Sequence, residues 1–598
     1  MPEYTAPIRD FKFVMQELLD CESHYQKLGY EDANLDMIDA IMSEAGKFAE
    51  QVFAPLNQSG DEEGCSWNDG VVTTPKGFKE AYQQYVDGGW PTLSHPEEFG
   101  GQGLPLSLNV SVSELMLSAN HSLSMYPGLS HGASATIEAH GTQQQKQHYM
   151  PKLVGGSWTG TMCLTEPHCG TDLGMLRTKA EANDDGSYSL TGTKIFISAG
   201  EHDLSENIVH IVIARIPGSP SGTKGISLFV VPKFTLNEDG SVGERNGVSC
   251  GSIEHKMGIN ANATCVINFD NAKGYLLGEV NHGLNCMFTF MNAARIGVSN
   301  EGVAAAEAAF QGALSYAKDR LQMRSLSGPK NPDGPADPII VHPDVRRMLL
   351  TQKSIAEGGR ALLAYLAQLV DITYSKQDQK VKQDAETKLA LLTPIAKAFL
   401  SELGFEATSH GVQVLGGHGF IKEWGMEQLM RDTKISCIYE GTTGIQALDL
   451  LGRKVIGSKG EIMKPFSNDV AAFCTDNLSI PEMVQFIRPL MGYAKEWTEL
   501  AETVAKKAMQ NPDEIGGASV DFLMFSGYLT LAYFWARSAK VALQKLADDK
   551  GEQSFYEAKI KTAQFYFQRM LPRAKGHSAC LEGGVETMMA LSAEEFSF

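Results

Sequence analysis

Between about residues 160 and 280 the chain changes texture, and no other feature limits its fold as much. Short runs rich in β-branched and aromatic residues follow one another there: Tyr188-Ser189-Leu190, IVHIVIA at 208–214, ISLFVV at 226–231 and CVINF at 265–269. Turn residues separate them, Asp185-Gly186 and Pro217-Gly218 among them. Such spacing predicts a small β-barrel or sandwich. On both sides the apolar period lengthens to that of a helix. Residues 1 to about 155 read as helical, with Leu35, Ile38, Ile41, Met42, Phe48 and Val52 on one face. Beyond Arg295, residues Val303, Ala306, Phe310, Ala313 and Ala317 mark another. PEEFGGQGLP at 96–105 and LSGPKNPDGPADP at 326–338 read as loops. A helical run over 388–408 contains Pro394, which should kink or split it. Long helices are expected over 482–509, 520–547 and 555–570, with Phe522, Phe525, Tyr528, Tyr533, Phe534 and Trp535 as their core packing. The fold class is mainly α with a central β-domain.

Bulk properties remove whole classes of function. A length of 598 residues leaves room for three or four structural units. A net charge of −20 repels a phosphate backbone, so no nucleic acid partner is expected. Ten cysteines are scattered without a CxxC pair or a histidine cluster, which predicts free thiols, a reducing compartment and no metal. The opening MPEYTAPIRDFKFVMQELLD has no apolar core before a cleavage site, and no run of about 18 uninterrupted apolar residues occurs. A cytoplasmic protein without membrane insertion is the expectation. The last helical stretch carries no Lys/Arg-rich amphipathic face of the interfacial kind.

Four segments hold the groups with chemical potential. MCLTEPHCGTDLG at 162–174 lies where helix gives way to strand; Thr165 and Thr171 offer hydroxyls and Gly170 allows close approach of a ligand. An ordinary interdomain turn has the same composition. In GTKIFIS at 192–198, Phe196 and Ser198 share a strand face and so suit a flat ring with an acceptor nitrogen, although a plain amphipathic strand reads alike. In VQVLGGHGF at 412–420, Gly416-Gly417 permits close backbone approach, and His418 is either catalytic or a packed loop histidine. In IYEGT at 438–442 a carboxylate sits between an aromatic residue and a glycine after an apolar run. Partial burial there would raise its pKa toward what a carbon-acid base needs.

In their order and spacing these segments resemble the acyl-CoA dehydrogenase family. Further matching stretches are PEEFGG at 96–101, HGTQQQKQHYMPKL at 140–153, KMGI at 256–259 and HPDVRRM at 342–348. The resemblance covers about residues 35 to 455. The chain ends, including LPRAKGHSACLEGG, are similar to the large bacterial subgroup containing 3-methylmercaptopropionyl-CoA and long fatty acyl-CoA dehydrogenases.

The resemblance implies an N-terminal extension (1–34), an N-terminal helical domain (35–158), a middle β-domain (159–281), a four-helix-bundle domain (282–456) and an additional C-terminal helical domain (457–598). It implies FAD as cofactor, with Glu440 as the base that removes the α-proton of an acyl-CoA thioester to leave a trans-2-enoyl-CoA. Met162, Leu164, Thr165, Gly170, Thr171, Phe196 and Ser198 would contact the flavin. Arg320, Gln322, Met323, Gln413, Leu415, Gly416, Gly417, Thr442 and Gly444 would hold the rest of FAD, partly across a homodimer interface. Arg295 and Gly441 would contact the substrate, and an electron-transfer flavoprotein would accept the electrons. His168-Cys169 stand where shorter members have small residues, and Phe196 where many have tryptophan. Two rivals remain: an oxidase using oxygen, and a nucleic-acid-binding flavoprotein of the same fold.

Overall fold

The β-branched runs become the strands β1 (Trp158–Cys163), β2 (Lys179–Ala182), β3 (Tyr188–Ser198), β4 (Asn207–Arg215), β5 (Ile226–Pro232), β6 (Val248–Ile253) and β7 (Thr264–Leu277). These belong to a computed structural model that describes residues 3–237, 239–548 and 552–598. The sheet runs β6-β7-β3-β2-β4-β1, and β5 pairs with both β4 and β7. The path β7-β3-β2-β4-β5 therefore closes on itself as a barrel. β4 and β5 are buried along nearly their whole length. That is why their sequences are continuous apolar runs rather than alternating ones.

Helix α1 (Leu106–Ala119) precedes α2 (His121–His140), which lies against β1. Gly160 makes that approach possible: a Cβ there would stand 2.3 Å from the Ala133 Cβ. One short hairpin, Ser66–Asn68 with Val71–Thr73, interrupts the stretch read as helical. Asp69 and Gly70 both take left-handed φ values (47° and 85°), which is the two-residue turn that Asp-Gly favours. The Trp67 indole N–H then donates to the Cys250 carbonyl at 3.0 Å.

The chain divides into two units. One comprises Lys47–Asn109 and Leu115–Gly297 and contains the barrel. The other comprises Met1–Gly46, Val110–Glu114 and Val298–Phe598. Its long helices are α3 (Gly283–Asp319, from Val298 onward), α4 (Pro343–Tyr374), α5 (Gln379–Leu415), α6 (Val484–Ala508), α7 (Asp513–Ala547) and α8 (Gln553–Phe565). A single apolar cluster joins Phe13 and Val14 near the start of the chain, Leu362 and Leu366 of α4, Phe399 of α5 and the α7 aromatics. The C-terminal helices thus share their core with the bundle and with the first residues. By length and apolarity α7 alone among the described residues could cross a membrane, but 67% of its most apolar window is buried.

Pro394 does not split its helix: α5 runs unbroken from Gln379 to Leu415. A proline leaves the carbonyl four residues earlier without its helical donor. Here that carbonyl, Ala390, accepts from the Lys454 ammonium at 2.6 Å.

Buried charge holds the same core. The Arg360 guanidinium, 2% exposed, bonds Glu114 (2.8 Å), Glu307 (2.9 Å) and Asp10. Lys559 of α8 bonds Glu357 at 2.7 Å and also Asp10, and Lys353 bonds Glu357. Three cations face four carboxylates, so one carboxyl is short of a partner. Burial, only partly offset by Arg360, pushes Glu114 up to about 7. Burial also pushes Asp10 up, but Lys559 and Arg360 outweigh it and hold Asp10 at about 2. A carboxyl whose folded pKa is raised binds its proton more tightly in the folded state. Its contribution is complete below the ordinary carboxylate pKa and is lost as pH climbs through the folded value. Asp10 has the opposite sign: its contribution stands at neutral pH and goes only as pH falls toward its folded value. From pH 5 to 7.5, the parent should lose up to about 3 kcal/mol relative to Glu114→Gln. Thermal melts of both across that range check this, and parallel curves would remove Glu114 as the titrating group.

Candidate active site

In the barrel unit, the 162–174 segment leaves β1 and is tied to β3. The Lys194 ammonium, fully buried, donates to the Leu164 carbonyl and to Glu166 Oε1, both at 2.9 Å. Glu166 also accepts from the Thr178 hydroxyl (2.6 Å) and from the backbone N–H groups of Arg177 and Thr178 (2.7 and 3.0 Å). Burial pushes the Glu166 carboxyl up, but Lys194 and these donors hold it below its usual value. The Thr165 carbonyl accepts from Ile195 N–H at 2.9 Å. Glu166, His168 and Cys169 bring ligand atoms within 4.8 Å of one another. Sequence reading did not foresee this trio. Lys194 already neutralises its carboxylate, which makes it a poor cation trap.

Tethered in this way, the loop and strand present a graded surface. Leu164 is buried, Met162, Thr165 and Ser198 are half-buried, and Gly170, Thr171 and Phe196 are exposed. The register of β3 against β7 shifts between Cys265 and Ile267, and Phe196 sits in that bulge with φ of 59°. A left-handed aromatic residue is rare and costs about 1–2 kcal/mol. Phe196 bears that cost and is still 59% exposed as a residue. Elsewhere in this unit Arg295 is buried, with its guanidinium 6.0 Å from the centre of the Phe288 ring.

In the other unit, the Arg320 and Gln413 segments come to one end. Ala313 and Ala317 of α3 pack with Val414 and Leu415 of α5. The Tyr316 hydroxyl meets His418 Nδ1 at 2.9 Å, and His418 stacks on Trp424 with centroids 4.5 Å apart. These are the contacts of a packed loop histidine. Arg320, Gln322, Met323, Gln413, Gly416 and Gly417 are exposed there and Leu415 is buried. The following loop winds around the Asp337 carboxylate, which accepts from the N–H groups of Ser325, Lys330 and Asn331 at 2.7–2.9 Å.

Glu440 lies away from that end. Its φ is 55° and that of Gly441 is 93°, two left-handed residues in succession. A Cβ at Gly441 would also stand 2.5 Å from Gln446 Nε2. Charged side chains from α3 and α5 surround this turn: Lys397 is fully buried, and Glu301 and Glu402 are half-buried. The Lys397 ammonium donates to the carbonyls of Ser436 (2.9 Å) and Gly441 (2.7 Å). The hydroxyls of Ser436 and Tyr439 both donate to Glu301, each at 2.6 Å. The Thr443 hydroxyl donates to Glu402 at 2.6 Å, and Gln446 Nε2 to the Glu440 carbonyl at 3.0 Å. Thr442 caps the short helix that follows, in which Gly444 sits at the first turn. Hydrogen bonds to charged groups stabilise by about 1.5–3 kcal/mol each, enough to offset the strain of the turn. Along α3, Glu301 and Tyr316 are about 22 Å apart at about 1.5 Å per residue, so one chain does not bring the Glu440 turn to the Arg320–Gln413 end.

Sequence reading missed Lys397, Glu301 and Lys194. The available signal was a lone lysine inside an apolar stretch, as in LLTPIAKAFL at 391–400.

The chain belongs to the acyl-CoA dehydrogenase family, a class of flavin-dependent dehydrogenases. The family's N-terminal domain matches residues 37–157, its middle domain 161–272 and its C-terminal domain 281–455, and a domain described as acetyl-CoA dehydrogenase C-terminal like matches 466–592. The chain is 42% identical to the 3-methylmercaptopropionyl-CoA dehydrogenase of Ruegeria pomeroyi, over 98% of this chain and 99% of that one. It is 35% identical to the broad-specificity linear acyl-CoA dehydrogenase FadE5 of Mycobacterium tuberculosis, over 96% of each. Its fold matches an acyl-CoA dehydrogenase from Bacillus anthracis solved with FAD (TM-score 0.75, 22% identity, 92% of this chain and 88% of that one). Members of the family bind FAD. The exposed Phe196 and the hydroxyl-bearing Thr165, Thr171 and Ser198, exposed or half-buried on the same loop and strand, suit a flat polar-edged ring system, so the residues present fit that cofactor.

Proposed function

We propose that the chain oxidises an acyl-CoA thioester between Cα and Cβ to a trans-2-enoyl-CoA, with Glu440 as the base. The observation that carries this is the Glu440 turn. A glutamate whose backbone is left-handed, on a turn tied by the buried Lys397 and the half-buried Glu301 and Glu402, is fixed for a task that a surface glutamate does not need. Glu440 takes the α-proton. Its backbone N–H polarises the thioester oxygen, where negative charge develops as the proton leaves. Bound FAD supplies the acceptor for the hydride that departs from Cβ. Met162, Leu164, Thr165, Gly170, Thr171, Phe196 and Ser198 hold the flavin side of that cofactor. Arg320, Gln322, Met323, Gln413, Leu415, Gly416, Gly417, Thr442 and Gly444 hold its remainder, and Arg295 and Gly441 face the substrate.

The separation between the Glu440 turn and the exposed Arg320–Gln413 end supports a homodimer in which one copy completes the cofactor site of the other. The exposed Met323, Leu326 and Phe420 at that end support it too. Ten unpaired cysteines support a reducing, cytoplasmic setting. An electron-transfer flavoprotein then takes the electrons. The relative at 42% identity makes 3-methylmercaptopropionyl-CoA the first substrate to try. Anaerobic bleaching of the flavin band by a panel from that compound through butyryl-CoA to palmitoyl-CoA tests the reading. Bleaching by the short thioether thioester ahead of palmitoyl-CoA is expected. A FAD-loaded protein that none of the panel bleaches would overturn the proposal.

A further inference from the structure

The turn that carries Glu440 depends on a lysine that the reaction itself does not call for. Lys397 rises from α5 with no exposed surface and places its ammonium between two backbone carbonyls, Ser436 before Glu440 and Gly441 after it. Other anchors hold only parts of the loop. Glu301 takes the hydroxyls of Ser436 and Tyr439, and Glu402 that of Thr443. Among these anchors, the lysine alone spans the strained pair. An ammonium is also the one side chain there that can donate to both carbonyls from a single atom while carrying the charge that strengthens both bonds.

We propose that Lys397 is a positioning residue for Glu440: by clamping the carbonyls of Ser436 and Gly441 it fixes the left-handed turn, and with it the place of the Glu440 carboxylate. This deepens the reading of Glu440 as base and rests on it. The clamp acts on where the carboxylate stands rather than on substrate affinity. Loss of Lys397 therefore slows removal of the α-proton and leaves binding nearly intact. A base displaced by about an ångström costs on the order of 100-fold.

The test uses the full FAD-loaded protein and methylthioacetyl-CoA, whose sulfur at the β position bars hydride loss and isolates the proton step. Exchange of its α-hydrogens with D2O is followed by mass spectrometry, and its binding by calorimetry. Lys397→Met is expected to exchange on the order of 100-fold more slowly, with Kd within about threefold of the parent. In a cycle with Glu440→Asp, the combined loss should fall well short of the product of the single losses, because both changes displace the same carboxylate. Parent-like exchange in Lys397→Met, or losses that simply multiply, would overturn the proposal. If the Met variant does not retain FAD, Lys397→Gln, whose neutral amide falls one bond short of the ammonium and so cannot clamp both carbonyls, serves instead, and parent-like exchange there overturns it equally. Glu440→Gln is run alongside. If it exchanges at the parent rate, the base reading fails on its own. If it is silent while Lys397→Met is parent-like, only the clamp fails.

Discussion

Glu440→Gln is expected to bind FAD as the parent does and to lose about 10³–10⁴-fold in the rate at which acyl-CoA bleaches the flavin. The replacement is isosteric and keeps an oxygen in place, but an amide cannot accept the α-proton. Nothing that holds the turn is removed. Lys397 bonds the carbonyls of Ser436 and Gly441, Gln446 bonds the backbone oxygen of residue 440, and Glu301 bonds Ser436 and Tyr439. The loss should therefore fall on the chemical step, with binding of the enoyl-CoA product changed by less than about threefold. Stopped-flow reduction under anaerobic conditions reads it directly. A variant retaining half the parent rate would show that another group takes the proton.

The second large effect is on stability. Arg360→Met should cost about 3–5 kcal/mol, because it leaves Asp10, Glu114 and Glu307 as buried carboxylates with their shared cation gone. Methionine fills much of the arginine volume, so a cavity is a minor part of the loss. The pH dependence separates the causes. If stranded negative charge is responsible, the difference from the parent narrows as pH falls from 7.5 to 5.5 and the carboxyls take up protons. A deficit that stays constant over that range would point to packing instead. Urea midpoints at the two pH values decide between them.

The chemistry-bearing segments were readable because they are local. IYEGT places a carboxylate beside a glycine, and TEPHCGTD and KIFIS carry hydroxyls and an aromatic residue within a few positions. The strands were readable because runs such as IVHIVIA are buried on both faces. What holds the segments was not readable, since it is assembled across the chain: Glu301 meets Ser436 over 135 positions, and Lys194 meets Glu166 over 28. The same distance effect hid the rescue of Pro394, where a lysine 64 positions from Ala390 supplies the missing donor. The 66–73 hairpin is a different kind of miss, because its Asp-Gly turn is a local signal. The four segments with chemical potential were legible as shapes but not as a site, because the barrel residues and the Glu440 turn fall in separate units.

Asp10 and Lys559 meet across 549 positions of sequence, inside a core that also takes in Phe13 and the α7 aromatics. On a ribosome adding about 5–20 residues per second, roughly half a minute to two minutes pass between the emergence of the first partner and the second. Throughout that interval the apolar residues Phe11, Phe13 and Val14 have no completed surface to enter, while the barrel has all its strands by Leu277. During synthesis this apolar segment therefore waits until the helix that carries Lys559 has been translated and closes over it.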